Sequence, residues 1–161
     1  MLKAIDAINF AAAISGLINA VMGLTFTLSL TYLKPVLRKF FIVLFSLVTV
    51  YVAADFISQI SLVFLGPGYA LLSRIALFVE SLFSSMLMPV LTMLLLYCSG
   101  ERRKRTPLFA CIVTLWFVYV FLLILTQFTT IIYTITPENV YQRGPWYPIL
   151  LAPAVAMMLV N

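Results

Sequence analysis

Charge in this chain is gathered into short clusters, and the runs between them stay apolar for more than about 18 residues, the helix length that spans a ~30 Å hydrocarbon layer. Of the 161 residues, 64% are hydrophobic and 9% charged, against roughly 25% charged in an ordinary soluble domain. A water-soluble fold cannot hide that much apolar side chain. The expectation is an all-α integral membrane bundle, with residues 1–161 forming a single transmembrane domain and the lipid bilayer as its main partner. Five spans are predicted, over about 8–33, 40–65, 69–98, 107–134 and 145–161.

The first apolar run begins close to Met1 but lacks a strong basic leader and a small-residue cleavage site, so it reads as a retained helix rather than a signal peptide. Ala12, Gly16 and Ala20 recur every four residues along it, a stripe that lets another helix approach closely. Asn9, Ser15 and Asn19 place polar groups in the same half. In the second run Asp55, Ser58 and Gln59 share a face, because residues three and four apart are neighbours on a helix. Gly66-Pro67-Gly68 ends that run and makes the second and third antiparallel neighbours. Pro89 lies inside the third run and is expected to kink it. In the fourth, Trp116, Tyr119 and Phe121 read as packing or lipid-facing aromatics. The polar stretch 136–144 follows, and Gly144-Pro145 marks the boundary to the fifth run. That last run offers about 24 Å of helix from Trp146 to Asn161, short of the ~30 Å core, so the chain is expected to be a piece of something longer.

Orientation follows from the basic loops. Lys34, Arg38 and Lys39 lie between runs one and two, and Arg102, Arg103, Lys104 and Arg105 lie between runs three and four. The opposite side offers Lys3, Arg143 and Arg74. Positively charged loops stay in the cytoplasm, which puts the N-terminus outside and, with five spans, the C-terminus in the cytoplasm. The net charge of +5 is thus explained by anchoring beside membrane spans, and no nucleic-acid partner is expected. Cys98 and Cys111 flank the cytoplasmic loop, where a structural disulfide is not expected.

A carboxylate in mid-membrane costs about 2.5 to 3.5 kcal/mol on insertion scales, which makes Asp55 and Glu80 functional candidates. Both lie roughly 18 to 20 Å of helix from Pro67, near the same depth. Facing each other, they would share a proton or pair with a cation such as Arg74. Gln59, Ser84, Ser85, Gln127, Ser15 and Asn19 are candidates to join them in a polar cavity open to the outside that binds a small ligand or ion. A buried network that only holds helices together is the competing reading. Catalysis is not expected of this chain: it has no histidine, no Gly-rich phosphate loop, no paired-cysteine zinc spacing and no Gly-x-Ser-x-Gly nucleophile pattern. No cofactor or metal is expected.

Two stretches carry a family resemblance: Glu80-Ser81-Leu82-Phe83-Ser84-Ser85-Met86-Leu87-Met88-Pro89 and Tyr141-Gln142-Arg143-Gly144-Pro145-Trp146-Tyr147-Pro148. With the layout of spans, they resemble the N-terminal multi-helix membrane sensor region of Firmicutes sensor histidine kinases, related regions of which occur on diguanylate cyclases. The resemblance implies a signal-input region in the bacterial plasma membrane, working as a homodimer. It also implies a cytoplasmic transmitter domain after the last span and a response regulator as partner. Kinase or cyclase activity would lie in that missing domain, because the phosphoacceptor histidine and ATP-binding motifs are absent from these residues. Pro89, Gly144 and Pro145 would then absorb the helix shift that carries the signal. The alternative is a small proton- or cation-coupled carrier or channel component using Asp55 and Glu80, and a third reading is a structural membrane subunit.

Overall fold

The computed structural model describes residues 4–99 and 105–160. Lys3, Arg102, Arg103 and Lys104 lie outside the described residues. Among the described residues five α-helices follow one another: α1 (Ala4–Ser29), α2 (Pro35–Phe64), α3 (Ala70–Ser99), α4 (Arg105–Phe128) and α5 (Tyr147–Val160). Two three-residue strands, β1 (Tyr133–Ile135) and β2 (Tyr141–Arg143), pair between α4 and α5. The segments Ile8–Ser29, Pro35–Phe64, Pro67–Ser99 and Pro107–Phe128 are each long and apolar enough to cross a membrane. The chain is a multi-pass helical membrane protein. α5 has 14 residues, about 21 Å at 1.5 Å per residue, less than the ~30 Å hydrocarbon core.

Helix ends follow local chemistry. α2 starts at Pro35, earlier than expected, because proline suits a first helical turn, where its missing N–H would have no partner anyway. The turn after α2 relies on Pro67, which opens a 3-10 turn over Pro67–Tyr69 leading into α3. Gly66 and Gly68 take no left-handed φ, so the reversal does not depend on glycine freedom. α3 runs unbroken through Pro89 to Ser99. α4 stops at Phe128 rather than near residue 134. The β-branched run Thr129-Thr130-Ile131-Ile132 favours extended backbone, and Pro137 disfavours helix in the residue before it.

The chain divides into two compact units, Met1–Phe83 with Ile135–Tyr141, and Ser84–Thr134 with Gln142–Asn161. In the first, α1 and α2 pack antiparallel: Gly16 lies beside Val52 and Gly23 beside Phe45. A Cβ on Gly16 would stand 3.3 Å from Val52 Cγ1, and one on Gly23 would overlap the Phe45 ring. The stripe of α1 toward α2 is Ala13, Gly16, Ala20, Gly23 and Thr27, which keeps Gly16 and Ala20 of the expected stripe and replaces Ala12 by Ala13. Ala12 is exposed. Steps of three and four alternate to average 3.5 residues and hold one face, whereas a strict step of four drifts around a helix of 3.6 per turn. Phe10 closes the far end, edge-on to Phe56 at 5.2 Å and to Phe64 at 5.6 Å between ring centroids. In the second unit α4 packs on α5, with Ile112, Leu123 and Met157 fully enclosed.

The stretch 136–144, expected to be a loop, belongs to a β-hairpin. Thr136 accepts from the Asn139 N–H at 2.9 Å and donates its own N–H to the Val140 carbonyl at 3.0 Å. Pro137 sits at the second turn position and Asn139 takes φ 61°, the left-handed conformation that closes three-residue hairpin loops. The Asn139 side chain is buried, and it ties the turn to two helices. Its Nδ2 donates to the carbonyls of Ser61 at 2.6 Å and Leu65 at 3.1 Å, capping the end of α2. Its Oδ1 accepts from Ser73 Oγ on α3 at 2.7 Å, and Ser73 also meets Ser61 Oγ at 2.6 Å. At the hairpin base the Gly144 N–H bonds the Ile132 carbonyl at 2.8 Å, and a Cβ there would run into the Ile131 carbonyl oxygen. Gly144 is thus required by close backbone approach.

Asn139→Ala removes three side-chain hydrogen bonds and disfavours the left-handed φ, and is expected to destabilise the chain by at least about 2 kcal/mol. Asn139→Gly keeps the conformation but not the bonds, and should fall between alanine and wild type in thermal unfolding in detergent micelles. An alanine variant that melts with the wild type would remove Asn139 as a tie.

Candidate functional site: a polar groove in the first unit

Asp55, Ser58 and Gln59 do share a face of α2, and Tyr51 stands one turn before them. Gln59 Nε2 donates to both Asp55 carboxylate oxygens, at 2.9 and 3.0 Å. This orients the amide: its Oε1 points away from the carboxylate and is buried without a hydrogen-bond partner. Turning the amide over would set oxygen against carboxylate, so the orientation follows from charge. Ser58 is 2% exposed and reaches two oxygens, the Asp55 backbone carbonyl at 2.8 Å and Glu80 Oε2 of α3 at 3.2 Å. Asp55 and Glu80 interact electrostatically with each other, and both with Tyr51. The two acids therefore belong to one cluster, bridged by a serine.

A groove of about 310 Å³ opens on this cluster between α1 and α2. Asn9, Tyr51, Asp55 and Gln59 supply its polar lining, and Ala12, Ala13 and Gly16 supply the space. Small α1 side chains that let the helices close elsewhere leave room here, opposite Asp55. Every polar group named can accept a hydrogen bond, and Asp55 adds negative charge, so the groove matches a small cation or a donor-rich ligand.

The remaining sequence candidates are distributed differently. Arg74 lies half-buried on α3 in the first unit. Ser84 and Gln127 belong to the second unit, where Gln127 Nε2 approaches Thr126 Oγ1 at 3.2 Å and the Tyr133 hydroxyl at 3.4 Å. Ser15 and Asn19 are exposed, off the α1 stripe that meets α2, so they do not join the groove. Ser85 is buried and receives the Trp116 indole N–H at 3.1 Å. Tyr119 is buried and Phe121 exposed. Arg143 stacks on Tyr147, 4.9 Å from the ring centre.

Among the described residues no group of three or more His, Cys, Asp or Glu side chains could hold a metal ion. Cys98 and Cys111 are free and exposed. Sequence reasoning missed three participants. Tyr51 was legible in principle, one turn before Asp55. Asn9 was noted but not placed, because which face of α1 meets α2 depends on packing. Asn139 had a local signal only for its turn, in Thr136-Pro137-Glu138-Asn139. Comparison with protein families, curated proteins and solved structures finds no match.

The Ser58–Glu80 bond can be read by a double-mutant cycle of Ser58→Ala and Glu80→Leu in detergent unfolding. A coupling of about 0.6 kcal/mol is expected, the average for interhelical hydrogen bonds in a membrane protein, with about 1.7 kcal/mol as the upper end. Zero coupling would mean that Ser58 does not hold Glu80.

Proposed function

We propose that this chain is the membrane-embedded signal-input region of a bacterial sensor histidine kinase, in which the groove beside Asp55 receives a small cationic or donor-rich ligand. The observation that carries the ligand site is the groove itself, whose polar lining of Asn9, Tyr51, Gln59 and the Asp55 carboxylate is made of hydrogen-bond acceptors. Ser58 and Glu80 give the site a route to respond: a cation against Asp55 changes the field at Glu80 on α3, and with it the Ser58 bond between α2 and α3.

The kinase assignment rests on the resemblance of residues 80–89 and 141–148 to sensor regions. On this reading residues 145–161 form a fifth crossing in the plasma membrane. The N-terminus lies outside and the C-terminus in the cytoplasm, as the basic loops indicate by the positive-inside rule. The region works as a homodimer that reports to a cytoplasmic transmitter domain and a response regulator, with no catalysis of its own. A second reading is favoured by the same bridge. A serine hydroxyl against a membrane carboxylate, with another acid nearby, suits a proton or cation relay in a small carrier.

Asp55→Asn and Glu80→Gln are expected to abolish the signalling response in a reporter strain while leaving membrane insertion intact. Normal response in both variants would remove the sensor site. The reading frame beyond Asn161 should continue into a dimerisation helix with a histidine and ATP-binding motifs, and a stop codon there would overturn the kinase assignment. Flux in proteoliposomes that depends on Glu80 would select the carrier instead.

A further inference from the structure

The α1–α2 loop of the first unit encloses a second pocket of about 400 Å³, chemically opposite to the first. Its polar lining is Arg38, Lys39 and Thr31, and no carboxylate lines it. Arg38 Nη2 donates to the carbonyl of Leu28 in the last turn of α1 at 2.7 Å, which anchors the guanidinium beside the loop. Its Nε is buried with no acceptor among the described residues. A guanidinium has five donors in a planar fork and no acceptor, and its strongest matches are oxyanions. α2 begins in the same loop without a side-chain cap and without an acid in its first turn. The positive end of its dipole therefore adds to the cations. Lys34, exposed at the same turn, adds a third cation.

Position narrows the ligand. The pocket lies where two membrane-length apolar helices end, the level at which lipid phosphates lie, and basic pockets between spans there receive anionic headgroups. Leu33, Pro35 and Ile42 give it an apolar wall. We propose that this pocket binds a phosphate group through Arg38 and Lys39, supplied by the headgroup of an anionic phospholipid or by phosphate in solution. The site is independent of the Asp55 groove.

The test uses the full chain in a neutral detergent, titrated with short-chain phosphatidylglycerol, with phosphatidylcholine and with inorganic phosphate, with bound lipid read by native mass spectrometry. Wild type is expected to prefer phosphatidylglycerol, and Arg38→Gln with Lys39→Gln to weaken it by about thirty-fold, about five-fold for each cation removed. Lys39 is exposed, so Lys39→Gln alone should fold normally and still show its share of the loss. Displacement of phosphatidylglycerol by inorganic phosphate at comparable concentration would support the site and assign its phosphate to solution. Equal affinity for both lipids with no binding of inorganic phosphate would overturn the proposal, as would unchanged phosphatidylglycerol binding in the folded Lys39→Gln variant.

Discussion

Hydrocarbon offers no water, so a polar group inside a membrane protein has to find its partner within the chain. Most features of this structure answer that demand. Thr27 and Thr49 turn their hydroxyls back to carbonyls one turn earlier, so they fit apolar helices. Gln59 Nε2 donates to the two carboxylate oxygens of Asp55, and Ser58 reaches Glu80. Asn139 meets two carbonyls at the end of α2 and a serine of α3. Among the described residues two buried side-chain atoms go unmet, Gln59 Oε1 and Arg38 Nε, and both residues line a pocket.

Close helix approach is the second demand. Lipid is as apolar as leucine, so helices associate through tight packing rather than through escape from water. Gly16 and Gly23 let α2 come against α1 at Val52 and Phe45. The same economy of side chain at Ala12 and Ala13 opens the groove in front of Asp55. Stability and cavity thus come from one pattern of small residues, and a larger residue at Gly16 would affect both.

Much of the helical layout could be read directly. Apolar runs and basic clusters marked five spans, four of which are helices long and apolar enough to cross a membrane, and spacing alone put Asp55, Ser58 and Gln59 on one face. The equal distance of Asp55 and Glu80 from Pro67 matched their meeting in one cluster, because a tight antiparallel turn holds partners at equal depth. Reading failed where local propensity competed with hydrophobicity. Residues 129–135 are apolar enough for a span, yet their β-branched side chains and the following Thr136-Pro137 end α4 at Phe128 and start a hairpin. Of the expected small-residue stripe, Gly16 and Ala20 do face α2 and only Ala12 gives way to Ala13, because a strict step of four drifts around a helix of 3.6 residues per turn.

The sequence by itself determined that this chain lives in a membrane as helices, since only helices and closed barrels satisfy their backbone in lipid and barrels need alternating rather than continuous apolar runs. It also determined which residues are polar enough there to matter. Only the tertiary structure decided which of them meet: Glu80 with Ser58, Asn139 with the end of α2, Asn9 with the Asp55 groove, Arg38 with the end of α1. These contacts join positions distant in the chain, and they depend on which face each helix turns to its neighbour. A period of 3.6 residues narrows that choice, but side-chain packing makes it.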